Sequence, residues 1–176
     1  MKRRVIVLDT SAFIAGFDPL AVTEKQYTVP EVKKELIEGS IPWMRFNAAI
    51  ENRKLTVMNP KSSFFQEIQE ASVKVGDMRY LSEADFQVLA LALELKGSGY
   101  SPLIVTDDYS IQNVANKIDV EFSSLMTLGI KFRFKWIIYC PACYRKYSSD
   151  YKFKFCKVCG TELKRKPEKK SHLSVV

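Results

Sequence analysis

The sequence has little of two features that point to common functions, histidine and long apolar runs. Its one histidine, His172, lies in a polar segment beyond residue 163, so a mechanism that uses an imidazole as acid or base is not expected. Apolar runs such as residues 5–8 and 136–139 are four residues long, whereas a membrane-spanning helix needs about 20 apolar residues. The sequence therefore predicts no membrane partner.

A secretory signal is lacking as well. Basic residues and an apolar stretch open the chain, but Asp9 interrupts that stretch after four residues, fewer than the roughly 7–15 apolar residues of a signal peptide. We therefore expect a buried strand at this point, in a cytoplasmic protein. Apolar residues make up 47% of the chain and charged residues 27%, so its 176 residues suffice for one α/β domain and a small appendage.

Negative charge is scarce in the last quarter of the chain. Residues 1–130 contain 14 Lys and Arg against 17 Asp and Glu, whereas residues 131–176 contain 13 against 3. A strongly basic segment attached to a mildly acidic body favours a polyanionic partner, and nucleic acid is the commonest soluble polyanion. A solvated basic segment that only aids solubility is the alternative, and charge alone does not decide between the two.

All four cysteines lie within twenty residues, as two CxxC pairs separated by twelve residues. Each CxxC turn directs two sulfurs to one point, so two turns complete a tetrahedral site for one structural Zn²⁺. Two disulfides are the alternative, but they need an oxidising compartment that nothing in the sequence indicates. We predict a zinc ribbon over residues 131–163, followed by a flexible basic tail over residues 164–176. The predicted zinc ligands are Cys140, Cys143, Cys156 and Cys159.

Cations and aromatic residues alternate just before the first cysteine pair. On a strand, residues 131–136 would present three cations on one face and three aromatic rings on the other. We expect the cations to meet RNA phosphates, and the rings either to stack on bases or, as we favour, to pack against a neighbouring domain. The predicted RNA-binding cations are Lys131, Arg133, Lys135, Arg145, Lys146, Lys152 and Lys154.

The first 130 residues alternate between apolar strand patterns and helix patterns. A proline that suits a helix start, Pro30, and a capping sequence that begins at Ser82 mark two of the helices. This alternation is typical of an α/β fold in which helices flank a parallel sheet, so residues 1–130 are predicted to form one such domain. The predicted strands are residues 5–8, 55–58, 103–106 and 118–122.

Acidic residues follow two of these strands. Asp9 comes directly after the first strand, and Asp107 and Asp108 come directly after the third. Glu35 and Asp85 lie within about a turn of helix starts. Each acid alone could be a turn, cap or surface residue. Together they form the pattern that builds a carboxylate cluster at one end of a sheet, because functional side chains gather beyond the carboxyl ends of parallel strands.

Four short motifs resemble, in order and spacing, those of the PIN-domain nucleases, over about residues 4–125. With the longer string from Thr106 to Val114 and the C-terminal ribbon, the sequence is similar to the archaeal form of the Nob-type (Nin-one-binding) endonucleases. It lacks the large insertions of eukaryotic relatives. The motifs are Val7-Leu8-Asp9-Thr10-Ser11-Ala12-Phe13, Val29-Pro30 with Val32 and Glu35-Leu36, Leu81-Ser82 with Asp85, and Val105-Thr106-Asp107-Asp108.

The resemblance implies a divalent-metal-dependent endoribonuclease that cuts precursor small-subunit (16S) ribosomal RNA at its mature 3′ end. Its implied partners are single-stranded or precursor ribosomal RNA, the small ribosomal subunit and ribosome-assembly proteins. It also implies that hydroxyls of Thr10, Ser11 and Thr106 orient the acids. The usual Thr-x-Asp pattern favours Asp108 over Asp107 as the metal ligand at this corner, although Asp107 could also reach the metal. The implied catalytic and metal-binding acids are Asp9, Glu35, Asp85, Asp107 and Asp108.

A cluster of carboxylates also requires a cation on physical grounds. Two unit charges about 4 Å apart repel by roughly 4 kcal/mol at an effective dielectric constant of about 20, so four ionised carboxylates cannot converge unaided. Oxygen ligands favour a hard ion, Mg²⁺ or Mn²⁺, over zinc. One or two such ions would activate water and offset the charge that develops on a phosphodiester during hydrolysis.

Two other functions remain open. A toxin-type PIN ribonuclease that acts on tRNA or mRNA would share the acids, although toxins of that kind normally end after the catalytic domain. A non-catalytic RNA-binding adaptor would bind metal for stability alone, which the intact acidic set argues against. The identity of the substrate would distinguish the toxin-type ribonuclease from the predicted enzyme. A cleavage assay would distinguish the non-catalytic adaptor from it.

Overall fold

The computed structural model describes residues 2–125, 132–148 and 151–172, with the backbone alone for residues 132–136 and 167–172. It confirms the predicted α/β architecture, a parallel sheet flanked by helices and followed by a small β unit that carries the cysteines. The strands are β1 Arg3–Leu8, β2 Lys25–Thr28, β3 Leu55–Val57, β4 Tyr100–Val105, β5 Glu121–Ser123, β6 Phe132–Tyr139, β7 Lys146–Tyr147 and β8 Lys164–His172. The helices are α1 Thr10–Ile14, α2 Pro30–Glu35, α3 Ile41–Glu51, α4 Ser63–Val75, α5 Glu83–Gly97 and α6 Tyr109–Lys117, with a 3₁₀ turn at Pro19–Ala21.

The order of strands in the parallel sheet brings the ends of β1 and β4 together. The order is β3-β2-β1-β4-β5, so the sheet extends in opposite directions from the β1 and β4 pair. Leu8 is in register with Val105, and the amide of Asp9 donates to the carbonyl of Val105 at 3.3 Å. Ligands of open α/β sheets bind at such a point, beyond the carboxyl ends of the strands.

Helix α5 is buried on all sides rather than along one stripe. The sequence predicts an apolar face at Phe86, Leu89, Ala90 and Leu93, but Val88, Leu91 and Ala92 are fully buried too, and Phe86 is only partly buried. The reason is that α5 contacts β1 and β4 as well as α2, α4 and α6. A helix enclosed in this way needs apolar residues around its whole circumference. Among the described residues, no helix is both long and apolar enough to cross a membrane.

Helix α1 carries the residues that follow β1, and it is held in place by an aromatic contact. It has five residues, too few to be stable without tertiary packing. Phe13 on α1 and Phe46 on α3 are both fully buried, and their ring centroids are 5.3 Å apart. This pair fixes the start of α1, where Asp9 is the N-cap, against the rest of the core.

Strand β2 is absent from the sequence-based prediction because its residues are polar. Its sequence is Lys-Gln-Tyr-Thr, yet Gln26 is 1% exposed, and its side-chain amide donates to the carbonyl of Pro19 at 2.8 Å. The hydroxyl of Thr28 donates to the carbonyl of Leu8 at 2.7 Å. Hydrogen bonds to neighbouring backbone therefore satisfy the side-chain donors of Gln26 and Thr28 in this strand.

Residues 164–172 differ from the expectation of a flexible tail. They form β8, which pairs antiparallel with β6 from Tyr139↔Lys164 to Phe132↔His172, with one irregularity near Trp136. Lysine-rich composition resembles a solvated tail, but strand pairing uses backbone groups and does not require apolar side chains. Residues 173–176 lie outside the described residues.

The ribbon sheet is attached to the larger body through Arg165. Its guanidinium donates to the carboxylate of Asp77 at 2.7 Å and lies 3.7 Å from the ring centroid of Tyr80. Asp77 is 1% exposed and also accepts a 2.5 Å hydrogen bond from Asn113 of α6. Burial raises the pKa of Asp77, and the hydrogen bond from Asn113 and the charge of Arg165 oppose that rise. The joint thus links β8 to both α6 and the segment after α4.

Loss of the aromatic contact under α1 should destabilise the fold. Replacing Phe46 by Ala removes a fully buried ring and leaves a cavity, which should lower the free energy of unfolding by about 3–5 kcal/mol. Met44→Ala on the same helix is the control, because Met44 is 52% exposed and should cost about 0.5 kcal/mol or less. Urea denaturation measures both values, and equal losses would contradict the packing described here.

Candidate functional site

Asp9 stands at the centre of the acidic site. It follows β1, is the N-cap of α1 and is 3% exposed. Its Oδ2 accepts hydrogen bonds from the hydroxyls of Ser11 at 2.6 Å and Thr106 at 2.9 Å. Burial raises the pKa of Asp9, and these hydrogen bonds oppose that rise. The carboxylate is therefore held in one orientation although it is nearly inaccessible to solvent.

The same hydroxyls shape the turn that follows β4. The amide of Asp107 donates to the hydroxyl of Ser11 at 2.9 Å, and the amide of Asp108 donates to the hydroxyl of Thr106 at 3.0 Å. Asp108 is the N-cap of α6, and its Oδ1 accepts from the amide of Ser110 at 2.6 Å. The ends of β1 and β4 are thus joined by one hydrogen-bond network.

Asp107 and Asp108 have different surroundings. The Oδ1 of Asp107 accepts from the hydroxyl of Ser124 and, at 3.1 Å, from the amide of Leu125, both beyond β5. The charge of Asp108 instead acts on Asp85, whose pKa it helps to raise. Asp108 therefore shares the electrostatic environment of Asp85.

The carboxylate of Glu35 accepts hydrogen bonds from residues at the starts of two helices, α1 and α5. Glu35 is the last residue of α2, where the sequence predicted a helix continuing to Gly39. Its Oε2 accepts from the hydroxyl of Thr10 at 2.5 Å, and its Oε1 accepts from the hydroxyl of Ser82 at 3.3 Å. The hydroxyl contacts expected of Thr10, Ser11 and Thr106 are therefore all present. The contact of Ser82 with Glu35 was not predicted, because a capping motif accounts for this serine in the sequence.

Asp85 shows that the acids repel one another. It completes the capping box of α5, in which the amide of Ser82 donates to its Oδ2 at 2.6 Å. Burial raises the pKa of Asp85 to about 7, the hydrogen bond from the Ser82 amide opposes this, and the charges of Asp9 and Asp108 raise it further. The cap interpretation is correct for Asp9 and Asp108, which are N-caps, and for Asp85, which completes a capping box. The role of these three acids as one metal-binding set stays a prediction.

The acids are spaced more widely than the cysteines. Within the described part of the chain, the four cysteines are the one group of three or more Cys, His, Asp or Glu side chains whose ligand atoms all lie within 4.8 Å of one another. The acidic side chains are close enough to perturb the pKa of Asp85 without reaching that spacing. Oxygen ligands that repel one another in this way suit a divalent cation, which would relieve the repulsion.

The four cysteines fit a zinc site. Their thiols are free, and the Sγ atoms of Cys140 and Cys159 lie 3.4 Å apart, as do those of Cys143 and Cys156 at 3.5 Å. A tetrahedron of sulfurs about 2.3 Å from a zinc ion has edges of about 3.8 Å, close to these separations. Amides of Cys143 and Val158 donate to cysteine sulfurs at 3.4 Å, as expected for CxxC turns.

The thiols of the cluster differ in acidity because they hydrogen-bond to different partners. Burial raises the pKa of Cys156, but hydrogen bonding to Tyr147 and to the amides of Cys159 and Val158 outweighs it and lowers the pKa to about 6. The backbone amide of Arg145 lowers the pKa of Cys143, but burial and the neighbouring cysteines outweigh it and raise the pKa to about 11. Four thiolates cannot coexist here without a cation, and metal binding would displace the remaining protons.

The predicted RNA-binding cations of the ribbon are exposed where their side chains are described, at Arg145, Lys146, Lys152 and Lys154. Lys131 lies outside the described residues, and so do the side chains of Arg133, Lys135 and the three aromatic residues between 132 and 136. The ribbon also exposes rings that the sequence-based prediction did not single out, since Tyr144 is 74%, Phe153 68% and Phe155 58% exposed. These rings and cations occupy the same short segments of the chain.

Asp77 and its partners are the other residues that sequence reasoning missed. Asp77 follows the left-handed C-cap Gly76, so in the sequence it looks like an ordinary turn residue. Its partners Asn113 and Arg165 are 36 and 88 residues away. No local pattern relates these positions, and only the folded structure brings them together.

Comparison with known proteins agrees with the α/β fold of a PIN domain. Residues 6–95 match the model of a family described as the PIN domain of ribonuclease. The chain is 37% identical over 163 residues to the Endoribonuclease Nob1 of Methanocaldococcus jannaschii, covering 93% of this chain and 78% of that protein. It is 34% identical to the Endoribonuclease Nob1 of Methanothermobacter thermautotrophicus, covering 91% of both chains.

A relative with another name is also similar along most of the chain. The Ribonuclease VapC1 of Thermoplasma acidophilum is 32% identical over 170 residues, covering 96% of this chain and 81% of that protein. Identity to the Nob1 proteins is 34–37%, and all of these relatives are named as ribonucleases, so a non-catalytic adaptor is not supported. The chain therefore belongs to the Nob1 family of PIN-domain endoribonucleases.

Proposed function

We propose that this endoribonuclease cleaves precursor small-subunit (16S) ribosomal RNA at its 3′ end, acting on a single-stranded segment. The observation that carries the proposal is the carboxylate cluster beyond β1 and β4, where Asp9 and Asp108 raise the pKa of Asp85. A basic ribbon with exposed rings on the same chain supports RNA as the substrate. The Nob1 relatives support this family function over that of a toxin.

The acidic residues divide into those that would hold a divalent ion and those that support them. Asp9, Asp85 and Asp108 would be the ligands, and Glu35 and Asp107 would complete the acidic set. A Mn²⁺ or Mg²⁺ ion, one or two of them, would supply water activation and charge stabilisation at the scissile phosphate when bound. Hydroxyls of Ser11 and Thr106 fix Asp9, and those of Thr10 and Ser82 fix Glu35.

The ribbon would hold one structural zinc ion through its four thiolates. A closed four-sulfur shell has no position for a water nucleophile, so the ribbon would contribute to RNA binding rather than to hydrolysis. Its exposed cations would contact phosphates of the precursor or of the small ribosomal subunit, and ribosome-assembly proteins are further candidate partners. Thiols kept for a metal instead of disulfides fit the reducing cytoplasm, the compartment that the sequence predicts.

Removal of one acid should abolish cleavage and leave RNA binding intact. Asp85→Asn and Asp9→Asn each delete a proposed metal ligand, so we expect the cleavage rate to fall by more than about 100-fold, beyond the losses typical for residues that only support a ligand. The substrate is a 16S precursor fragment that spans the 3′ end, incubated with Mn²⁺, and product ends are mapped by primer extension. Fluorescence anisotropy without Mn²⁺ measures RNA affinity, which should stay within about twofold.

Asp119→Asn is the matched control for these variants. Asp119 is an exposed residue after α6 with φ of 52°, a backbone conformation that Asn also tolerates. The Asp119→Asn variant should cleave the RNA at the wild-type rate. Full activity of Asp85→Asn would contradict the proposed site, and cleavage of tRNA or mRNA in place of the precursor would favour the toxin-type alternative.

The pKa of Asp85 predicts how stability depends on pH in protein that carries zinc but no Mn²⁺ or Mg²⁺. The folded state holds this proton up to about pH 7, whereas the ordinary value is 3.8, so the contribution of Asp85 to stability is lost as pH rises from about 4 through 7. The free energy of unfolding of the wild type should therefore fall more steeply between pH 5 and pH 8 than that of Asp85→Asn. Urea titrations at both pH values test this, and parallel profiles would contradict it.

Loss of one thiolate should unfold the ribbon but not the parallel sheet. Cys140→Ser is expected to lose the single zinc ion, detected by elemental analysis, because structural zinc supplies the folding energy of a unit with few apolar residues. Trypsin should then cut at Lys152 and Lys154, while the sheet of β1 to β5 still unfolds cooperatively. Lys157→Ser keeps all four thiols and should retain zinc. A zinc-free wild type that resists trypsin would contradict the proposal.

A further inference from the structure

A cleft of about 310 Å³ lies between the body of the parallel sheet and the ribbon. Arg79 and Tyr80 line it from the body, and Lys154, Glu162 and Lys164 are among the residues that line it from the ribbon. We call it the interdomain cleft. With three cations against one carboxylate, its lining is positively charged and suits a polyanion.

The charged side chains of the cleft are available to a ligand. Arg79, Lys154 and Lys164 are all exposed. In the described part of the chain, the ion pairs involve other cations, such as Arg165 with Asp77 and Lys61 with Glu94. A phosphate that enters the cleft therefore does not have to displace an ion pair described there.

Tyr80 offers an aromatic surface that is already held in place. It is 46% exposed although the guanidinium of Arg165 lies 3.7 Å from its ring centroid. Arg165 is in turn fixed by the buried carboxylate of Asp77 at 2.7 Å. An immobilised ring costs little entropy when a base stacks on it, and base–aromatic stacking does not depend on sequence.

Residues of the interdomain cleft and of the acidic site are close together in the sequence. Tyr80 is two residues before Ser82, whose hydroxyl donates to Glu35 at 3.3 Å and whose amide donates to Asp85 at 2.6 Å. Because a residue spans at most about 3.6 Å, the Cα atoms of Tyr80 and Ser82 are within roughly 7 Å of each other. A single-stranded RNA bound at the acidic residues can therefore reach the cleft within a short stretch of nucleotides.

We propose that the interdomain cleft is a subsite for single-stranded RNA next to the cleavage site, in which a base stacks on Tyr80 and the flanking phosphates meet Arg79, Lys154 and Lys164. The inference rests on the proposed function and adds the path of the substrate between the acids and the ribbon. Cations alone would suit any polyanion, and the exposed ring among them favours a ligand with planar bases over an acidic peptide.

Substitution of Tyr80 tests the stacking contact. The probe is a fluorescein-labelled, single-stranded RNA from the 3′ end of the 16S precursor, titrated in the absence of Mn²⁺ and Mg²⁺. Tyr80→Ala should weaken binding by about 5- to 150-fold, the range for loss of one base–aromatic stack. Tyr80→Phe keeps the ring and should bind like the wild type. With Mn²⁺ present, Tyr80→Ala should raise KM and leave kcat at saturating RNA nearly unchanged, because the acids are untouched.

The cations are tested by the dependence of affinity on salt. The double variant Arg79→Ala with Lys164→Ala should reduce the slope of log affinity against log salt by about 1.4, since each phosphate contact of a single strand contributes about 0.7. The control is Lys74→Ala with Lys117→Ala, which removes the same charge from exposed residues at the ends of α4 and α6. It should leave the slope within about 0.3 of the wild type.

A cleft variant could bind RNA less tightly because it lost a direct contact or because its ribbon is loosened. Ultraviolet crosslinking of the wild type to RNA distinguishes these two causes. RNA that carries 4-thiouridine should crosslink to the peptide that contains Tyr80. Wild-type affinity and salt slope in the cleft variants, or crosslinks confined to other peptides, would overturn the inference. A wild type that binds the RNA but does not cleave it with Mn²⁺ would contradict the proposed function, and the binding titrations would still decide on the cleft.

Discussion

Repulsion among carboxylates at one end of the parallel sheet is the constraint on which the rest of the structure depends. Asp9, Asp85 and Asp108 are near enough for the charges of the other two to raise the pKa of Asp85. Asp9 and Asp108 each cap a helix and accept hydrogen bonds from its first amides, and Asp85 accepts from the amide of Ser82, the N-cap of α5. A helix N-terminus carries partial positive charge, so capping lowers the cost of holding these acids without a metal ion. The same contacts hold the carboxylates of Asp9, Asp85 and Asp108 in fixed orientations.

The two regions of the chain carry opposite net charges. The body has a surplus of negative charge and an acidic site, so by itself it repels RNA, whereas residues 131–176 carry nearly all of the excess positive charge. Electrostatic attraction in physiological salt decays within about 8 Å, so a basic ribbon can offset the acidic site only if it is held beside it. The ribbon has a small core around Ile138, Cys140, Tyr147 and Cys156, so we expect its folding to depend on a metal ion bound by the four cysteines.

Sequence reasoning succeeds where local pattern and geometry coincide, and it fails where contacts are long-range and polar. An acid after an apolar strand marks the end of the sheet, so Asp9 and Asp108 could be assigned to one edge without coordinates. Strand β2 could not be predicted, since the side chains of its buried Gln26 and Thr28 donate to backbone carbonyls elsewhere in the chain. The sequence of strand β8 resembles a tail because the strand is ordered by pairing with β6 and by the contacts of Arg165, which are both long-range. Asp77 has no sequence signal at all, because its partners are 33, 36 and 88 residues away.

The joint at Asp77 explains how a small ribbon can be held in one orientation beside the larger body. Burying an ion pair adds little stability on balance, since the desolvation of both charges offsets their attraction. Its geometric demands are strict, however, because Arg165 must meet the Asp77 carboxylate and the Tyr80 ring at once. Asp77 also binds Ser110 and Asn113 of α6, and the amide of Ser110 donates to the capping carboxylate of Asp108. The contact that orients the ribbon therefore ends one hydrogen bond away from the acidic site, so the orientation of the ribbon and that of Asp108 depend on the same few side chains.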